Sequence, residues 1–291
     1  MSVKHASCGD VELAYETFGV AGNPPLVLVM GLATQMLGWP DEFCQALADV
    51  GFHVVRFDNR DIGLSTHLDE AGMPDLSPLF AGQPITSAPY ALADMADDTI
   101  RLVDALGLGR VHLVGASMGG MIAQEVALRH HERLLSLTSI MSTTAPNVGS
   151  PTPAASAVLF SPPATNESEA AERAITVYRV IGSPGHSLDE VAVSARAQES
   201  FRRANDPAGV ARQLVAIHAS GDRTERLGRL RVPTLVLHGE DDPLVQVDGG
   251  RATAAAVPGA RLVTWPGMGH DLPRGMWPKI IGEITAHAGL V

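Results

Sequence analysis

Gly115-Ala116-Ser117-Met118-Gly119-Gly120 directly follows the short apolar run Val111-His112-Leu113-Val114 and leads into a helical pattern from Gly120 to His130. A strand that turns this sharply into a helix holds its central residue in a strained conformation, and side chains at the flanking positions would meet neighbouring backbone. Glycines at those positions remove the collision. Ser117 is then lifted above the end of a sheet strand, with a helix N-terminus beneath it that favours developing negative charge. The string alone is weak in a chain with 29 glycines, and a tight structural turn is the bland alternative. The strand before it and the helix after it make Ser117 a candidate nucleophile.

Working outward, apolar runs alternate with longer helical patterns, the rhythm of an α/β sheet. Val11–Phe18 alternates and reads as an edge strand. Leu26–Met30 is continuously apolar, as expected of a strand buried on both faces. Asp41–Val50 has helical spacing and closes at Gly51. Phe52–Phe57 reads as a strand ending in Asp58-Asn59-Arg60-Asp61-Ile62-Gly63, Ala91–Leu106 as a helix and Leu135–Met141 as a strand. Thr234–Leu237, Ala254–Val257, Arg261–Trp265 and Trp277–His287 then read as strand, helix, strand, helix.

Between Thr144 and Arg231 the rhythm breaks. Prolines cluster at 146, 151, 153, 162 and 163, and Glu169–Ile181, Leu188–Asn205 and Ala208–Ala219 look helical with no strand between them. We expect residues 1–144 and 231–291 to form the core and 145–230 a helical cap over the carboxyl ends of the strands, where open α/β sheets bind ligands.

Composition excludes several classes. With 45% hydrophobic residues the chain is not disordered, and 32 Asp and Glu against 21 Lys and Arg, a formal net charge of −11, argue against a nucleic-acid partner. The longest apolar run, Pro24–Leu32, is half of the roughly 18–20 residues that a membrane span needs. Met1-Ser2-Val3-Lys4-His5 shows no secretory pattern. Cys8 and Cys44 have no metal-ligand spacing and read as free thiols of a reducing cytoplasm.

A serine nucleophile needs a base, and the base an orienting carboxylate; where the serine sits on a nucleophile elbow the chain order is Ser, acid, His. His270 lies in the glycine-rich Gly267-Met268-Gly269-His270-Asp271 after a strand, where an imidazole can approach the turn. His287 reads as solvated and His238 as a packed, hydrogen-bonded residue. The acid follows the strand Thr234–Leu237 in Gly239-Glu240-Asp241-Asp242-Pro243, where Asp242 is favoured and Asp241 stands next. Two N–H donors for an oxyanion are expected from the backbone of Met118 and from the loop after Leu26–Met30, with Leu32 favoured and Gly31 beside it. We expect the Met118 side chain to line the pocket, Asp97-Asp98 to be a solvated helix face, and Arg60 to hold the Asp58–Ser65 turn. His112 reads as a satisfied core histidine.

Taken together, Met30-Gly31-Leu32-Ala33, Asp58-Asn59-Arg60-Asp61-Ile62-Gly63-Leu64-Ser65, the Ser117 turn, Gly239-Glu240-Asp241-Asp242-Pro243 and Gly269-His270 resemble the α/β-hydrolase superfamily over essentially the whole chain. The resemblance implies a mostly parallel eight-stranded sheet flanked by helices, with a helical cap. It also implies a Ser117-Asp242-His270 triad with Leu32 and Met118 as oxyanion donors. Leu37-Gly38-Trp39-Pro40-Asp41-Glu42-Phe43 and Gly267–Pro273 are similar to the aclacinomycin methylesterase group, which removes a methyl ester from anthracycline polyketides. Met30 stands where many relatives have His.

The expectation is therefore a cytoplasmic serine esterase acting on a small or medium carboxylic ester, with no metal or organic cofactor and no nucleic-acid or membrane partner. C–C bond hydrolysis, lactone hydrolysis and cofactor-free perhydrolysis use the same triad. Acidic C–C substrates would need cations, for which Arg173, Arg179 and Arg196 are candidates in the cap. A small-molecule receptor that keeps a vestigial triad is the alternative outside catalysis.

Overall fold

The computed structural model describes residues 2–290. Its strands are β1 (Lys4–Cys8), β2 (Val11–Phe18), β3 (Pro25–Val29), β4 (His53–Phe57), β5 (Val111–Ala116), β6 (Leu134–Ile140), β7 (Thr234–Gly239) and β8 (Arg261–Trp265). They form one eight-stranded sheet in the order β1-β2-β4-β3-β5-β6-β7-β8. β1 pairs antiparallel with β2, and β2 antiparallel with β4. Every other pairing is parallel.

Helices α1 (Asp41–Asp49), α2 (Ser77–Phe80), α3 (Leu92–Ala105) and α4 (Met118–Arg129) precede β6. Between β6 and β7 come α5 (Pro153–Leu159), α6 (Glu167–Ile181), α7 (Glu190–Arg203), α8 (Pro207–Ala219) and α9 (Thr224–Leu227). α10 (Asp248–Ala256) and α11 (Trp277–Ala288) complete the chain. No helix among the described residues is long and apolar enough to cross a membrane.

The alternation of side chains along each strand feeds two cores. Val27 and Val29 join Val55, Phe57 and Leu113 under α3 and α4, while Leu26 and Leu28 join Val54, Val114 and Leu237 under α1 and α11. Each such burial is worth about 1.5–3 kcal/mol, so a one-residue slip of β3, which exchanges the two sets, is heavily disfavoured. α4 is buried on every side from Met118 to Ala127, as befits a helix between the sheet and its outer helices.

Three readings of the sequence change. β2 is not an edge strand, because β1 covers it; β1 has only five residues, two of them buried, and so leaves little pattern to read. α4 begins at Met118 rather than Gly120. α10 begins at Asp248, six residues before the apparent helix, because Gly249 and Gly250 are poor helix formers. Both are needed small: a Cβ on Gly250 would lie 2.5 Å from His238 Nδ1, and one on Gly249 2.9 Å from the Ser142 carbonyl.

The sequence order of strands reverses about β3, between β4 on one side and β5 on the other. The chain leaving β3 therefore runs to α1 on one face of the sheet and the chain leaving β5 to α4 on the other, the arrangement at which open α/β sheets bind ligands in a crevice. The helices between β6 and β7 reach the loops that follow β3, β4 and β8.

Candidate active site

Ser117 is the residue before α4 and has φ 57° and ψ −122°, in the region that costs a non-glycine residue strain. The turn is fixed from several sides. The Ser117 N–H donates to the Ile140 carbonyl at 2.9 Å, and the Ser117 carbonyl accepts from Gly120 N–H at 2.9 Å and Ser142 Oγ at 2.8 Å. A Cβ on Gly115 would lie 2.1 Å from the Gly119 carbonyl, and one on Gly119 2.1 Å from the Val29 carbonyl. Neither position tolerates a side chain.

Two further loops converge on this serine. His270, from the loop after β8, places Nε2 3.0 Å from Ser117 Oγ. Its Nδ1 is 2.7 Å from Oδ2 of Asp242, which follows β7. The other Asp242 oxygen accepts the N–H groups of Leu244 and Val245, each at 2.9 Å. Asp242 is 3% exposed, and these donors together with His270 satisfy its oxygens. The neighbouring Asp241 faces elsewhere: its carboxylate accepts the Gly267 N–H at 2.6 Å.

His238 sits behind this pair, fully buried, with Nε2 2.7 Å from the Val245 carbonyl and 3.6 Å from Asp242 Oδ2. Burial lowers its pKa, so the ring is neutral and its one N–H braces the turn that carries Asp242. The helical insertion supports the opposite side. The Ile181 carbonyl accepts the His270 N–H at 2.7 Å, and Ser183 Oγ accepts the Gly269 N–H at 2.9 Å while donating to Asp271.

The loop after β3 closes the crevice. A Cβ on Gly31 would lie 3.0 Å from Ser117 Cβ, so Gly31 and Ser117 are in contact. The N–H groups of Leu32 and Met118 make no hydrogen bond to another group of the described protein, which leaves both available beside Ser117. The Met118 side chain is fully buried in the core with Met121 and Ile122, rather than lining a pocket.

Other sequence candidates fall away from the serine. His287 is half-buried, not solvated, with Nε2 3.2 Å from the Leu137 and Pro233 carbonyls. Asp98 is buried, not solvated; it takes Arg60 Nε at 2.6 Å and NH2 at 2.7 Å, while Asp97 pairs with Arg129 and His130. His112 Nδ1 is 2.8 Å from Ser136 Oγ. Cys8 and Cys44 are free and buried, and desolvation pushes their thiols up to about 11 and about 12, so neither is a nucleophile.

Arg173, Arg179 and Arg196 bond within the insertion, to the Pro162 carbonyl, to Glu190 and over the Tyr178 ring. Two insertion arginines that the sequence reading missed, Arg203 and Arg212, reach the Asp58–Asp61 turn of the core. Arg203 donates to Asp58 at 2.8 Å, and Arg212 holds both oxygens of Asp61 at 2.7 and 2.9 Å. Asp58 is fully buried; burial raises its pKa against the opposing pull of Arg203. The signal was present in the turn itself, where Arg60 alone cannot serve two carboxylates and Asp98.

Asp61, His67 and Asp206 bring ligand atoms within 4.8 Å of one another, the spacing of a metal site. Their chemistry fits cations already there. Arg212 donates to Asp61 and to Asp206, and both His67 nitrogens face acceptors: Asp206 at 2.7 Å and the Gly63 carbonyl at 3.0 Å. An imidazolium satisfies both contacts and offers no lone pair to a metal.

The family described as alpha/beta hydrolase fold matches residues 24–273. Rhodomycin D methylesterase of Streptomyces sp. (strain C5) is 29% identical to the chain, over 96% of this chain and 95% of that protein. A putative carbamate hydrolase of Variovorax paradoxus (strain S110) is 26% identical over 89% of each. Among solved structures, a hydrolase from Pseudomonas aeruginosa PA01 superposes with a TM-score of 0.73 at 27% identity, covering 99% of this chain and 98% of that one. An enol-lactonase from Burkholderia xenovorans LB400, 24% identical, shares the fold with a TM-score of 0.75 over 98% of this chain and all of that one.

Proposed function

The chain belongs to the alpha/beta hydrolase fold family and is a hydrolase, and from that premise we propose that it cleaves a small or medium carboxylic ester through Ser117, His270 and Asp242. The observation that carries this reading is the continuous hydrogen-bonded line from Ser117 Oγ through the His270 ring to Asp242, at 3.0 and 2.7 Å. In it, His270 Nε2 takes the hydroxyl proton as Ser117 attacks the ester carbonyl. Asp242 holds Nδ1–H, fixing the tautomer and stabilising the imidazolium that forms. The tetrahedral oxyanion is received by the N–H groups of Leu32 and Met118. His270 returns the proton to the leaving alcohol, and water then releases the acyl group by the same steps. No metal or organic cofactor enters the chemistry.

A neutral substrate is favoured because Arg203 and Arg212, the insertion arginines that reach the Asp58–Asp61 turn, are committed to Asp58 and Asp61. An acidic dienone, the substrate of C–C hydrolysis, would find neither of them free. The similarity to a rhodomycin D methylesterase over nearly the full chain supports a methyl ester, including one on a polyketide-like ring system. The two buried free thiols support a reducing, cytoplasmic setting.

Turnover on a panel of methyl, ethyl and p-nitrophenyl esters, with a carbamate and a dienone acid as controls, tests this. Hydrolysis of neutral esters that disappears in Ser117→Ala is the expected result. Turnover confined to the dienone acid or the carbamate would overturn the ester assignment, and tight retention without turnover would indicate a receptor.

A further inference from the structure

The peptide between Leu32 and Ala33 is gripped at both ends. Its carbonyl accepts Thr34 Oγ1 at 3.1 Å, and its N–H donates to Gln213 Oε1 at 3.2 Å. Gln213 is fully buried on α8, inside the helical insertion, and its other end donates to the Arg60 carbonyl at 2.8 Å. Ala33 needs this support, since it sits at φ 58°, where a non-glycine residue is strained. Its neighbour on α8, Arg212, is fastened to Asp61, itself at φ 66°. The stretches on either side are held as well: Asn59 donates to the Met30 carbonyl at 2.9 Å, and Asp58 accepts the Met36 N–H at 2.6 Å.

We propose that Gln213 is a positioning residue for the oxyanion hole. By clamping the Leu32–Ala33 peptide it sets the backbone torsion of Leu32, and with it the direction of the Leu32 N–H toward the carbonyl carried by Ser117. The insertion thus covers the crevice and also completes the oxyanion donor set, so the Leu32 donor depends on α8 being seated. This rests on the reading of Ser117 and His270 as the reacting pair. A glutamine suits the task because it accepts from Ala33 and donates to Arg60 at once, and no apolar residue of the same length can do either.

The test is steady-state hydrolysis of p-nitrophenyl acetate, together with inhibition by phenylboronic acid, which forms a reversible tetrahedral adduct on an activated serine. Gln213→Met is expected to lower kcat about tenfold or more with KM nearly unchanged and to weaken the boronate by a similar factor, less than the 10²–10³ for outright loss of an oxyanion donor. Thr34→Val, which frees the other end of the same peptide, is expected to act in the same direction, and Thr34→Ser to restore activity. A structural role alone would lower Tm and leave kcat and boronate affinity in place. Gln213→Met with both values within about twofold of wild type would overturn the proposal. If that variant does not fold, an unchanged kcat in Thr34→Val overturns it instead. A wild-type protein that neither hydrolyses the ester nor binds the boronate contradicts the parent reading, a separate result.

Discussion

His270 and Asp242 meet through a single carboxylate oxygen at 2.7 Å, while the other oxygen is occupied by the N–H groups of Leu244 and Val245. The carboxylate therefore cannot rotate to offer a different face to the ring. Its orientation is decided by the backbone turn, and the tautomer of the imidazole follows from it.

Asp242→Asn is expected to keep the fold and lose the chemistry. The amide oxygen can still accept from Leu244 and Val245, which turns the NH2 toward His270 Nδ1 and forces the proton onto Nε2, the wrong nitrogen for a base. By analogy with the serine-protease case the cost is about 10⁴ in kcat. Kinetics with a thermal melt check it. Asp241→Asn, whose side chain caps the Gly267 N–H, should cost far less.

Arg203→Met is expected to destabilise strongly. Asp58 and Arg203 form a buried ion pair at 2.8 Å, and removing one partner of such a pair costs about 3–5 kcal/mol because the other charge is left unpaired. Without its cation, the Asp58 carboxyl moves further up from the usual carboxylate range. Its protonated form then relieves the deficit, so the gap in Tm between variant and wild type should narrow as pH falls. A gap that is constant with pH would place the damage elsewhere.

His67→Gln tests the strap between the Asp58–Ser65 turn and the insertion. Burial works against the His67 charge, but the Gly63 carbonyl and the Asp206 carboxylate outweigh it and raise the pKa above its ordinary value. A raised histidine pKa contributes stability that is fully present below the unfolded value and lost as pH rises through the folded one. Asp206 is held below its ordinary value by His67, the Gly209 N–H and Arg212, against its own burial, so its part is lost only in acid. The variant should therefore lose most Tm between these two limits, near pH 5–6, and little at pH 8–9, about the span set by carboxylate and imidazole titration. Equal losses at both would contradict a charged His67.

What could be read from the sequence was what the chain states locally. The apolar run at Leu26–Val29 announces a strand buried on both faces, and the strand, glycines and helix around Ser117 announce a sharp turn within a dozen residues. The loop carrying Asp242 follows another strand of this kind, and the loop carrying His270 follows the half-buried edge strand β8. The insertion's role was hidden for a physical reason. Arg203 and Asp58 are 145 positions apart, Arg212 and Asp61 151, and Gln213 and Ala33 180. Such pairings have no periodicity to reveal them, and on a helix an arginine bound for the core looks like one bound for solvent. Asp98 misled in the same way: its acidic neighbour Asp97 suggests a wet face, yet the helix turns Asp98 inward onto Arg60. β1 was overlooked because an edge strand of five residues needs little apolar content when its partner supplies the ladder.

Activation of Ser117 is read from intact-protein mass after brief exposure to a fluorophosphonate, which bonds only to a serine whose proton a neighbouring base takes. One stoichiometric adduct is expected on the wild-type protein, none on Ser117→Ala, and much slower labelling of Asp242→Asn, following a loss of activity about 10⁴–10⁶-fold for triad deletions. An unlabelled wild-type protein, or equal labelling of Ser117→Ala, would contradict it.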